Sequence, residues 1–65
     1  MTAEEMERRL EGLRLEHRDL DTAVAAIAAS ARPDMLAIAR LKKRKLLLRD
    51  EISWLEDQLV PDIIA

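Results

Sequence analysis

The chain has no cysteine, phenylalanine or tyrosine, a single glycine, two prolines and one tryptophan in 65 residues. Each scarcity closes off a class of protein. Without cysteine there is no disulfide framework, no thiolate nucleophile and no cysteine-ligated zinc or iron–sulfur centre, so any stability must come from packing. With so little Gly there is no glycine-rich loop to cradle a phosphate, and with so few turn residues there is little room for strands and hairpins. The longest apolar run, Ala23 to Ala29, is far below the roughly 20 residues that span a bilayer, so no membrane association is expected. The first residues, Met1-Thr2-Ala3-Glu4-Glu5, are acidic and lead into no apolar stretch, which argues against a secretory signal and for the cytoplasm.

What remains is a chain that is 49% apolar and 37% charged, the composition of long amphipathic helices. Its periodicity agrees. Met6, Leu10, Leu13, His17, Leu20, Val24 and Ile27 recur at alternating spacings of four and three. Ile38, Leu41, Lys45, Leu48, Ile52, Leu55 and Leu59 do the same after Ser30-Ala31-Arg32-Pro33-Asp34, where a proline and a capping Asp punctuate the chain. If the chain turns between Arg32 and Pro33, antiparallel partners have residue numbers that sum to 65. The pairs Ile27/Ile38, Val24/Leu41, Leu20/Lys45, His17/Leu48, Leu13/Ile52, Leu10/Leu55 and Met6/Leu59 all meet that condition. A helix running straight through Pro33 has no reason to place its second stripe in mirror register with its first.

The pattern therefore predicts an all-α fold: a single antiparallel two-helix hairpin over residues 1–65, coiled-coil-like, with helix one over about 3–30 and a turn at about 31–34. Helix two follows over about 34–60, ended by Pro61, with a short tail at 61–65. Glu4 and Glu5 lie at the positive end of the first helix dipole, and Asp34 at the start of the second helix. Gly12 falls on the outside of helix one.

Charge is segregated along the chain. Residues 1–31 carry a net charge of −3, residues 32–49 a net +6 and residues 50–65 a net −5. In the hairpin the basic block lies beside Glu16, Asp19 and Asp21 of helix one, which neutralise part of its field. Two seam positions are polar: His17, with Asp21 one turn on to hold its ring, and Lys45, whose ammonium reaches Asp19, Asp21 or solvent. Such intruders can fix register or partner choice. No further ligands converge on His17, and Thr2, Thr22, Ser30 and Ser53 have no histidine base at a usable spacing, so neither catalysis, metal nor cofactor is expected.

Two helices of this length make a thin core, and without disulfide or metal the remaining staple is association. Leu46, Leu47 and Trp54 lie off the seam of helix two and form the candidate self-association surface, giving a dimer or tetramer of hairpins. The alternative for Trp54 is a fold over the seam edge against helix one. A second surface is the cationic run of Arg40, Lys42, Lys43, Arg44 and Arg49, which could meet an unidentified protein partner or neutralise phosphates of a nucleic acid. The acidic chain as a whole, with a pI near 5.3, and the lack of aromatics among those cations weigh against nucleic acid. The leading expectation is a non-enzymatic structural or adaptor protein; the alternative is nucleic-acid binding through the basic block of helix two.

The segments Leu15-Glu16-His17-Arg18-Asp19-Leu20-Asp21 and Leu41 through Ile52 resemble the YdcH-like family of very short bacterial proteins of unknown function. The resemblance runs from about Leu13 to Leu59. It singles out His17, Leu20, Leu41, Lys42, Lys43, Lys45, Leu46, Asp50 and Ile52 as motif residues, with Arg49 where that pattern has Lys. It implies a cytoplasmic bacterial helical hairpin and carries no activity.

Overall fold

A computed structural model describes residues 1–59; the tail at 61–65 and the expected helix stop at Pro61 lie outside the described residues. The chain forms α1 (Ala3–Ala28) and α2 (Met35–Leu59), packed side by side along their length as an all-α hairpin. The start of each helix and the end of α1 have local causes. Thr2 caps α1: its hydroxyl accepts from the Glu5 N–H at 3.1 Å while its own N–H donates to the Glu5 carboxylate at 2.9 Å. This reciprocal pair satisfies two donors that a helix start otherwise leaves open. Asp34 caps α2 as expected, its Oδ1 accepting from the N–H groups of Leu36 at 3.1 Å and Ala37 at 3.0 Å.

The first helix closes at Ala28, slightly before the expected limit. The reason is Ser30, whose N–H and hydroxyl both turn back to the Ile27 carbonyl, at 3.1 and 2.8 Å, and so bend the chain out of the helix. Pro33, which lacks an N–H, follows in the bend.

The seam forms as the spacing predicts. All fourteen seam residues are buried or half-buried. Leu10, Leu13, Leu48 and Leu55 make the central cluster, with Met6, Leu20, Ile52 and Leu59 packed against it, and Ile38 is buried nearer the turn. The charged flanks fix the register from both sides. On one edge Arg9 meets Glu51 at 2.7 Å and Glu16 meets Arg44 at 3.0 Å, pairs whose numbers sum to 60. On the other edge Arg14 meets Glu56 at 2.6 Å, a pair summing to 70. The seam sum of 65 lies midway. Near the turn the first edge continues with half-buried Ala23 and Ala37, small residues where the backbones converge.

The signs on these flanks also oppose slippage. A shift by one seven-residue repeat would set Arg9 against Arg44 and Arg14 against Arg49, or Glu16 against Glu51. Exposed pairs are each worth only about 0.2–1 kcal/mol, but like charges face each other in both one-repeat slips.

Leu48 is 1% exposed and Leu15 is 55% exposed, so the same truncation separates packing from propensity. Leu48→Ala is expected to destabilise the chain by about 2–5 kcal/mol and Leu15→Ala to stay within about 0.5 kcal/mol, read by urea denaturation at one protein concentration. At Gly12 an added Cβ meets nothing within 4 Å, so Gly12→Ala is expected to stabilise by about 0.5–1 kcal/mol in the same assay.

Candidate functional site

The seam's two polar residues meet on one edge of the hairpin. Lys45 sits at a seam position, half-buried, and its ammonium turns outward to the Asp21 carboxylate. That hydrogen bond, aided by the charges of Lys45 and His17, holds the Asp21 carboxyl below the ordinary carboxylate range. The expected His17–Asp21 hydrogen bond does not form. Nδ1 lies 4.0 Å from Asp21 Oδ2, too long for a hydrogen bond, because the carboxylate is directed at Lys45. No group of three His, Asp or Glu side chains converges on a metal-sized point among the described residues.

The capture of Asp21 by Lys45 has a consequence for Arg49. By the flank rule Arg49 would pair with Asp21, since their numbers sum to 70. Instead Arg49 forms no ion pair among the described residues. It lines, with His17, Lys42, Lys45 and Leu46, an open groove of about 390 Å³ on this edge. The groove thus has a cationic rim around one apolar side chain.

The cationic run is divided by the fold. Arg44, expected as a partner contact, is held by Glu16 of its own chain through Nε at 3.3 Å and a terminal nitrogen at 3.0 Å. Lys42 and Arg49 reach the groove edge, while Arg40 and Lys43 belong to other sides of α2 and are exposed. The run encircles the helix and offers no single cationic stripe. Of the expected acids, Glu16 and Asp21 pair with it and Asp19 pairs with nothing among the described residues.

Leu46, Leu47 and Trp54 are 51%, 55% and 57% exposed, so Trp54 stays away from α1 and the fold-over alternative is not adopted. Asp50 lies between Leu47 and Trp54 on the back of α2. The flank pairs Arg9–Glu51 and Arg14–Glu56 were not anticipated from the residues, although their sums of 60 and 70 follow directly from the seam sum.

The lowered Asp21 carboxyl makes the Lys45–Asp21 pair sensitive to acid. A carboxyl held low in the folded chain stays charged at pH values where the unfolded chain has already protonated. The pair therefore contributes fully above the ordinary carboxyl value, and that contribution is lost as pH falls through the lowered one. By NMR titration Asp21 is expected to show a midpoint below 3.8 that rises toward 3.8 in Lys45→Met. A midpoint indifferent to that change would remove Lys45 as the cause.

No helix among the described residues is long and apolar enough to cross a membrane. No curated protein and no solved structure matches the chain. Residues 10–56 match a family described as a protein of unknown function, DUF465, and that span takes in most of both helices, the turn and the two motif segments. YdcH-like short proteins are among its members, and the chain belongs to the DUF465 family of proteins of unknown function.

Proposed function

We propose that this protein is a non-enzymatic assembly module of the cytoplasm, a helical hairpin that self-associates through the outer face of α2 and presents its cationic groove to an acidic protein partner. One observation carries the reading. The hairpin is a single layer, with a Cα trace only 14 Å in its thinnest dimension, and the side of α2 turned away from α1 holds Leu46, Leu47 and Trp54, each more than half exposed. Helices ordinarily bury an apolar stripe against a second layer, and Trp is among the residues that interfaces favour. The groove edge at Lys42 and Arg49 remains for a partner, because these two cations form no ion pair among the described residues.

The nucleic-acid reading draws on Arg40, Lys42, Lys43 and Arg49, which form no ion pair among the described residues. Their spread around α2 and the acids paired beside them favour a protein partner over a phosphate backbone. Binding to duplex DNA or RNA at low salt that falls steeply with salt, and is lost on changing Lys42 and Lys43 to Gln, would reverse that preference.

The self-association reading is tested by light scattering on the full chain over a concentration series. Wild type is expected at two or four times 7.4 kDa, and Leu47→Glu with Trp54→Glu is expected to approach 7.4 kDa while helicity by circular dichroism is largely kept. An unchanged mass in the double variant would contradict this surface, and a monomeric wild type would end the reading.

A further inference from the structure

We infer that the partner of the α2 outer face is the α2 outer face of a second copy, packed antiparallel about a two-fold axis at Asp50. The inference rests on the self-association proposed above and specifies its geometry. It starts from which charges the hairpin leaves unused. Four charges of α2 are paired within the chain, Arg44 with Glu16, Lys45 with Asp21, Glu51 with Arg9 and Glu56 with Arg14, while Lys42 and Arg49 on the groove edge form no ion pair among the described residues. The stripe opposite the seam, Lys43, Asp50 and Asp57, recurs every seven residues, is exposed, and forms no ion pair among the described residues.

That stripe is antisymmetric in charge about Asp50. Toward the turn α2 is basic, with residues 32–49 at net +6, and beyond it the chain is acidic, with residues 50–65 at net −5. Parallel packing of two copies would stack like charge on like charge. Antiparallel packing sets each basic half against an acidic half, and symmetry provides every contact twice. With the axis at Asp50, facing residues sum to about 100. Lys43 then meets Asp57 of the second copy, and Leu47 meets Trp54 of the second copy on the same side of the stripe. Leu46 lies opposite Ser53 of the second copy on the other side. The two Asp50 carboxylates approach each other on the axis, where Arg49, left without an acid by the Lys45–Asp21 pair, is adjacent to both. Thus the exposed apolar residues and the unpaired charges select the same alignment, from separate observations.

The absence of cysteine makes the test direct. In oxidised single-cysteine variants of the full chain, Asp50→Cys is expected to form a disulfide-linked dimer. Lys43→Cys and Asp57→Cys are each expected to fail alone, because the axis leaves the two copies of either residue about 21 Å apart at 1.5 Å per residue. A mixture of those two variants is expected to cross-link one to the other. By light scattering, Lys43→Glu is expected to weaken the dimer about tenfold, since each dimer carries the pair twice, and Lys43→Glu with Asp57→Lys to restore it. A chain that is oligomeric but cross-links through Lys43→Cys alone, or ignores the charge reversal, overturns the antiparallel arrangement and leaves self-association standing. A monomeric chain overturns both.

Discussion

Everything in this protein depends on one alignment, the antiparallel seam in which α1 and α2 meet at numbers summing to 65. The core is small: among the described residues only Leu10, Leu13, Ile38, Leu48 and Leu55 are buried. A slip of one residue would rotate those side chains out of the seam, and a slip of a whole repeat would restore the apolar match while opposing like charges along the flanks. Hydrophobic burial therefore selects the face, and the alternating signs of Arg9, Arg14, Glu16, Glu51, Arg44 and Glu56 select the repeat. The turn supplies the third constraint. Ser30 ends α1, Pro33 keeps the chain from continuing, and Asp34 starts α2.

The seam also shapes the surface. Lys45 occupies a position where an apolar residue would pack, and its ammonium takes the carboxylate that Arg49 would otherwise meet. One polar residue at a seam position thereby leaves the Arg49 guanidinium without an acid among the described residues, beside Lys42 and Leu46. Arg9, Arg14, Glu16, Arg44, Glu51 and Glu56 on the flanks hold the hairpin together, while Lys43, Asp50 and Asp57 on the back of α2 form no ion pair among the described residues. That partition separates the surface used for folding from the surface available for assembly, and the same helix carries both.

The fold was legible in the sequence because two stripes of apolar residues, each periodic, shared one mirror register. The α2 cap was legible from Asp34, and the exposure of Leu46, Leu47 and Trp54 followed from their places off the seam. Other features were not read. The Thr2–Glu5 capping pair is not evident from Glu4 and Glu5 as dipole charges, because it also needs the hydroxyl three residues ahead of Glu5. The end of α1 depended on a side-chain bond from Ser30 that helix propensity does not report. The His17–Asp21 spacing suggested a contact, but a competing cation across the seam took the carboxylate, and competition of that kind is visible only once both helices are in place.

The most direct test of the alignment is a distance between Glu11→Cys and Ser53→Cys, spin-labelled on one chain and diluted with unlabelled protein so that only intramolecular pairs are seen. The hairpin places both on one edge, at numbers summing to 64, with helix axes about 8–10 Å apart, so the labels should fall well within about 30 Å of each other. A separation of about 63 Å, that of one continuous helix at 1.5 Å per residue, or a short distance that vanishes on dilution, would contradict the fold on which the remaining account stands.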